Sequence, residues 1–365
     1  MTNDDKDKRI KELEDEMART QKNKATEYHI GIIKSKLAKL RREMLSPKKH
    51  GSSSGGFDVK KSGNATVAIL GLPSVGKSTL LNKITNAESK TAAYAFTTLK
   101  CIPGILEYRQ AKIQILDLPG IIEGAKDGRG RGRVVIAGAR NADLIMIMVE
   151  ASAPLQTKVI ESELYGFGIR IDKKPPNVVV KEMLRGGITI NSTVPLTKIS
   201  ENGISAVLNE YRMFNADVVI REDISLDEFI DVLDGNRVYI PSVYVVSKVD
   251  SVEKKELAKF PKNYVLVSAE KGTGTKELKE AIYNKLRFIK IYTKRRGEKA
   301  DLNEPMIVKS GVNLGDICTM LHRDLKSNFR YALVWGKSVK HASQRVGLDH
   351  VLIDGDVISI IKRLG

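Results

Sequence analysis

The chain is 365 residues long, 42% hydrophobic and 29% charged, and carries a formal net charge of +17 at pH 7. That length gives room for two or three separate cores, and no stretch nears the roughly 20 apolar residues that a membrane span requires. Only two cysteines, Cys101 and Cys318, and five scattered histidines are present, which argues against a disulfide framework or a zinc site and for a reducing cytoplasm.

The N-terminal run MTNDDKDKRIKELEDE is too charged for a secretory signal. Residues 8–46 then show helical spacing: Ile10, Leu13 and Met17, followed after a polar stretch by Ile33, Leu37, Leu40 and Met44. Two short amphipathic helices or one bent helix fit, with the basic residues on the outer faces. Gly51-Ser-Ser-Ser-Gly-Gly56 is a flexible linker by composition. From Ala65 onward, short apolar runs at 66–70, 113–116, 144–149, 243–246 and 264–267 alternate with helical or loop segments. That alternation suits a parallel sheet covered on both faces.

Val149 and Val243 are separated by 93 residues, where a crossover needs only about a dozen or a few more. An insert is therefore expected, with strands at 187–194 and 216–220 and helical stripes at 204–211 and 226–233. A basic helix ending near Lys290 leads to a last unit. There a strand at 306–308, a helix at 314–321, a strand at 331–335, the turn Asp354-Gly-Asp356 and a strand at 357–361 suggest a small ubiquitin-like sheet.

The positive charge is uneven. Residues 22–50 hold nine Lys/Arg against two acids, and residues 285–365 hold sixteen against eight. Such clustering favours a polyanionic partner, RNA before a merely basic surface. Trp335, Phe329 and Tyr331 lie amid Lys326, Arg330 and Lys337, where they either stack on unpaired bases or pack in a core.

Gly71-Leu-Pro-Ser-Val-Gly76-Lys77-Ser78 matches G-x-x-x-x-G-K-[ST], directly after one predicted strand and before a helix with Leu80, Leu81 and Ile84 facing inward. In that context the glycines let backbone N–H groups wrap phosphates, and the helix N-terminus adds a favourable dipole. Gly71, Ser74, Val75, Gly76, Lys77, Ser78 and Thr79 form the expected cradle, with Lys77 reaching the β/γ-phosphate oxygens and the Ser78 hydroxyl ligating Mg²⁺. Asp117-Leu-Pro-Gly120 closes the strand at 113–116, which lets Asp117 hold the metal shell and the Gly120 N–H sense a γ-phosphate.

Ser247-Lys248-Val249-Asp250 follows the strand at 243–246. A carboxylate at Asp250 accepts from the guanine N1–H and amine, which adenine does not offer, while the Lys248 stem lies along the base. Ser268-Ala269-Glu270 presents a backbone N–H to the guanine O6. Each short motif is weak alone. All four in order, at the C-terminal ends of predicted strands where open parallel sheets bind ligands, point to guanine.

In the loop Tyr94-Ala-Phe-Thr97-Thr98-Leu99, a threonine that meets metal and γ-phosphate only in the triphosphate state would give an order–disorder switch. Thr98 is the expected residue, with Thr97 its competitor. The glycine-rich, basic run at 121–133 suits a phosphate-bearing partner or is a plain surface loop. Many switch GTPases place Gln after D-x-x-G to orient the attacking water. Here the position is Ile121, which cannot hydrogen-bond water. Intrinsic hydrolysis is therefore expected to be slow, with help from a partner, another loop or a monovalent cation. The expected catalytic set is Lys77, Thr98 and Gly120, and the metal set Ser78, Thr98 and Asp117.

The whole chain from about Arg9 resembles the developmentally regulated GTP-binding proteins, an Obg-like branch of the translation-factor-class GTPases. The resemblance lies in the strings at 17–26, 72–81, 116–128, 236–241, 330–336 and 338–341. It implies a helix-turn-helix-like segment at 1–48, a linker at 49–63 and a G domain at 64–165 and 239–290. It also implies a ribosomal-protein-like α+β insert at 166–238 and a ubiquitin-like (β-grasp) TGS domain at 291–365. The implied fold class is α/β, a P-loop NTPase G domain carrying those additions. The implied partners are GTP and GDP, ribosomes or RNA, and a stabilising regulatory protein, with Mg²⁺ and, in relatives lacking the Gln, K⁺. No DNA specificity and no membrane association are expected. The Obg-like group also contains ATPases, and a non-enzymatic RNA-binding scaffold is a further alternative. The family has Asn at the position of Ser247, and its K⁺-activated relatives have Asn at the position of Ser74. Loss of the Asn contact at 247 should weaken nucleotide binding by about 1 kcal/mol.

Overall fold

The computed structural model describes residues 3–21, 23, 26–45, 62–85, 102–118, 137–295 and 297–363. Helices α1 (Asn3–Arg19) and α2 (Glu27–Leu45) form an antiparallel hairpin around Leu13, Ile33 and Leu37. Strand β1 (Ala65–Leu70), helix α3 (Lys77–Ile84), strands β2 (Ile102–Tyr108), β3 (Ala111–Asp117) and β4 (Leu144–Glu150) and helix α4 (Gln156–Gly166) follow. The chain then leaves through β5 (Ile169–Ile171) into β6 (Val178–Glu182), β7 (Ile188–Ser192), α5 (Glu201–Glu210), β8 (Ala216–Ile220) and α6 (Leu226–Asp234). It returns through β9 (Val238–Ile240) to β10 (Ser242–Ser247), α7 (Lys254–Leu257), β11 (Val265–Leu266) and α8 (Thr275–Leu286). The last elements are β12 (Phe288–Thr293), β13 (Met306–Lys309), α9 (Leu314–Leu321), α10 (Arg323–Ser327), β14 (Phe329–Trp335), β15 (Gln344–Val346) and β16 (Val357–Lys362).

The main sheet has the order β11-β10-β4-β1-β3-β2, all parallel except the β2–β3 hairpin. Its central strands are apolar throughout because helices cover both faces. Val67, Ile69, Ile113 and Ile115 meet Leu80, Leu81 and Ile84 of α3 and Leu278 and Ile282 of α8 on one face. Ala68, Leu70, Ile145 and Ile147 meet Ile160 and Leu164 of α4 on the other. Neighbouring residues of one strand thus serve opposite cores, as the period of two requires.

The long interval between β4 and β10 folds as a three-stranded sheet, β6-β8-β7, packed under α5 and α6. The parallel pair β5–β9 joins it to the main sheet, and Arg140 donates to the carbonyls of Phe167 and Asn236 at the two ends of this stalk. Buried ion pairs lock the junction: Arg170 to Asp231 at 2.5 Å and Arg237 to Asp234 at 2.5 Å.

Two expectations need correction. The basic residues of the N-terminal helices do not all face outward. Ile30 and Ala38 enter the core of the insert, so α2 lies against α5 and α6. There Lys34 pairs with Asp227 at 2.6 Å, Lys39 with Glu210 at 3.2 Å and Arg42 with Asp234 at 3.5 Å. The basic helix expected to end near Lys290 stops at Leu286, where Arg287 turns left-handed with φ 50°. Phe288 to Thr293 is strand β12, because extension there buries Phe288 in the main core and Ile289 and Ile291 in the C-terminal one. That C-terminal sheet has the order β13-β12-β16-β14-β15.

Candidate nucleotide site

The parallel strands of the main sheet end together on one edge. Registers place Asp117 opposite Ile69 and Ser247 opposite Glu150, which brings the ends of β1, β3, β4 and β10 side by side. The loop after β1 begins with Gly71, where an added Cβ would lie 2.5 Å from the Met148 carbonyl oxygen. Only glycine lets the loop leave the sheet so close to β4. Ser74 and Gly76 have φ of 63° and 91°, and Gly76 caps α3. Left-handed residues within such a loop turn successive N–H groups toward one concavity, an anion-binding arrangement.

Lys77 is buried, and its ammonium donates to the carbonyls of Gly71 at 3.1 Å and Leu72 at 2.9 Å. The Ser78 hydroxyl donates to Asp117 Oδ2 at 2.7 Å. A hydroxyl and a carboxylate in contact at a strand end are hard oxygen donors, and this pair fits Mg²⁺.

The other half of the site forms at the ends of β10 and β11. Lys248 is left-handed with φ 55° and starts a 3-10 turn over Val249–Ser251, which leaves Asp250 exposed at the rim. The Ser268 hydroxyl bonds the Asp250 carboxyl and, with the Asp250 backbone amide and Lys271, holds it below the usual carboxylate range. Ser247 is buried and donates to the Val149 carbonyl at 3.1 Å. A cavity of about 120 Å³ joins the two halves, lined by Val75, Gly76, Thr79, Ser247, Asp250 and Glu270 among others. Ser74 lies in the loop before it, and Ala269 is also on its wall.

One contributor escaped the sequence reading. Glu150, the last residue of β4, lies 3.4 Å from the Lys248 ammonium and steadies the stem expected along the base. Its signal was only its place at the end of an apolar strand. Thr97, Thr98, Gly120, Ile121 and the run at 121–133 lie outside the described residues.

Residues 66–182 match the family model described as 50S ribosome-binding GTPase, and 185–288 match the C-terminal region of the MMR_HSR1 domain. Residues 289–362 match the TGS domain. An uncharacterized GTP-binding protein of Methanocaldococcus jannaschii is 55% identical over 359 residues, 96% of this chain and 92% of its own. Developmentally-regulated GTP-binding protein 2 of Homo sapiens is 51% identical over 360 residues, 97% of this chain and 99% of its own. The chain belongs to the developmentally regulated GTP-binding protein family.

Members of this family join a P-loop GTPase domain to a C-terminal TGS domain, and both are present here. P-loop GTPases work with Mg²⁺. Among solved structures, a GTP-binding protein from Pyrococcus horikoshii OT3 aligns over 82% of this chain and 100% of its own, at 16% identity and a TM-score of 0.41. Among the described residues, no helix is long and apolar enough to cross a membrane.

Proposed function

We propose that this chain binds GTP and GDP with Mg²⁺ and hydrolyses GTP to GDP and phosphate as a conformational switch acting on ribosomes or their RNA. The observation that carries the reading is the meeting of two half-sites on one sheet edge. Lys77 and the Ser78–Asp117 pair lie at the ends of β1 and β3, and Asp250 with Ser268 at the ends of β10 and β11. Val75, Gly76 and Thr79 of the first half line one cavity with Ser247 and Asp250 of the second.

In this reading the loop from Gly71 to Thr79 cradles the phosphates, and Lys77 sets its ammonium against their β/γ oxygens. Ser78 and Asp117 hold Mg²⁺, which when bound neutralises charge on the phosphate oxygens. Asp250 selects guanine through two hydrogen bonds, Lys248 lies along the ring, and the backbone across Ser268, Ala269 and Glu270 meets O6. Ser247, turned to the Val149 carbonyl, contributes less than an Asn would. Thr98, with Thr97 the competing choice, and Gly120 complete the set as γ-phosphate sensors. Ile121 cannot orient water, so turnover is slow and is raised by a regulatory partner, by K⁺ or by both. The ribosomal part of the reading is supported by the ribosome-binding description of the matched family model and by the charge of +17. The insert at 166–238 and the TGS domain are the parts that dock the partner.

The test is GTP hydrolysis by the purified chain in K⁺ and in Na⁺ buffer, with and without ribosomes, and with ATP as competitor. Stimulation by ribosomes and indifference to ATP are the expected results. Fast turnover by the chain alone in cation-free buffer, or equal use of ATP, would overturn it.

A further inference from the structure

The C-terminal sheet turns one face to its own core and one away. On β14, Ala332 and Val334 point inward with Val346, Ile358 and Ile360, while Tyr331, Leu333 and Trp335 take the opposite face. Cross-strand register sets Arg345 beside Leu333 on that same face. Burial in the core accounts for Phe329 but not for Tyr331 and Trp335, which are half-buried.

Each of these two rings lies under a cation. The Lys294 ammonium is 3.7 Å from the centroid of Trp335, and the guanidinium of Arg345 is 4.8 Å from that of Tyr331, with Arg330 at 5.9 Å. None of the three cations forms an ion pair among the described residues. Three acids of the same unit are engaged elsewhere: Asp316 caps α9, Asp354 accepts from the Lys290 N–H, and Asp356 is buried on the N–H groups of Ser338 and Ile353. The face is thus aromatic and cationic, and its three cations have no ion-pair partner among the described residues.

We propose that this face binds single-stranded RNA, with bases stacked on Tyr331 and Trp335 and phosphates held by Lys294, Arg330 and Arg345. It rests on the RNA-directed reading above and says where on the chain the RNA lies. Four residue steps along the strand separate the two rings by roughly 13 Å, so each receives a separate base. A base arriving on a ring displaces the resident cation toward a phosphate, and the displaced charge then pairs with the backbone of the strand. Duplex RNA keeps its bases stacked within itself and cannot use the rings. An acidic peptide would satisfy the cations and leave the rings idle.

Trp335 is the single tryptophan of the chain, so its fluorescence reports on this face without any label. Titrating the full chain with a single-stranded oligouridine of about twelve nucleotides should quench that emission saturably, and affinity should fall as salt rises. The double variant Lys294→Glu, Arg345→Glu changes a half-buried and an exposed position, in that order, and neither belongs to the C-terminal core. It should bind the oligonucleotide about tenfold more weakly or worse, with GDP affinity unaltered. Three results would overturn the surface while leaving RNA binding intact: RNA bound without a change in Trp335 emission, equal quenching by duplex RNA, or undiminished binding by the double variant. Equal quenching by polyglutamate would instead assign the face to an acidic protein. No binding of any RNA by the unaltered chain would remove both the surface and the RNA reading beneath it.

Discussion

Asp231→Ala should loosen the junction between the GTPase domain and the insert far more than any surface change nearby. The carboxylate accepts from Arg170 Nε at 2.5 Å, from Arg170 Nη2 at 2.6 Å and from Arg237 Nε at 2.7 Å. The side chains of Asp231, Arg170 and Arg237 are 3%, 4% and 8% exposed, so the charge left behind is a buried one. Arg237 would keep Asp234 at 2.5 Å. Arg170 would keep only main-chain carbonyls and the face of Tyr165, whose centroid lies 3.6 Å away. One guanidinium is then buried without a counter-charge, which costs about 3–5 kcal/mol.

The control is Asp227→Ala on the same helix. Its partner Lys34 is 2.6 Å away, but the two side chains are 22% and 41% exposed, and such a pair is worth about 0–1 kcal/mol. A chain with several cores need not unfold in one transition, so the measurement should be local. Hydrogen exchange read by mass spectrometry on peptides covering β5 and α6 suits this. A loss of about 3 kcal/mol speeds exchange through local opening by roughly a hundredfold. Equal protection in the two variants would refute the reasoning from burial.

Lys77→Ala should abolish nucleotide binding in a fluorescent-GDP titration while the fold persists; unaltered affinity would remove the role given to its ammonium. Ser247→Asn should tighten GDP binding about fivefold, worth about 1 kcal/mol, because the larger amide can extend into the cavity of about 120 Å³. Weaker binding by a variant that melts normally would count against that. Asp250→Ala should let ATP compete with fluorescent GDP, and retained guanine preference would show that selection lies elsewhere. Ser268 holds the Asp250 carboxyl below its ordinary value of 3.8. The Asp250 carboxylate, to which we assign guanine selection, is therefore present above that value and lost only as pH falls through the lower, folded-state one. GDP affinity should stay level down to about pH 5, and Ser268→Ala should raise the pH at which it falls.

The placement of the candidate residues at strand ends was legible in the sequence because it is local. A strand, a tight turn and a helix in succession are written in neighbouring residues. So Gly71 to Thr79, Asp117, Ser247 to Asp250 and Ser268 to Glu270 could each be placed at a strand end without knowing how the strands pair. The TGS-type sheet was only partly legible. Strand β12 carries Lys290 and follows the helical run of α8, and its strand character comes from pairing with β13 and β16, the latter more than sixty residues away.

Sequence by itself determined the apolar strands, the glycine turn after β1 and the position of Asp250 just beyond β10, since each depends on residue type and spacing over a few positions. Only the tertiary structure decided that the basic face of α2 meets Asp227, Glu210 and Asp234. It likewise decided that Arg170 and Asp231 are a buried pair and that Tyr331 and Trp335 lie half-buried on the face of the C-terminal sheet that points away from its core. Those outcomes depend on which distant surfaces come together. Charge and aromaticity are properties of a residue, but pairing, burial and exposure belong to its surroundings.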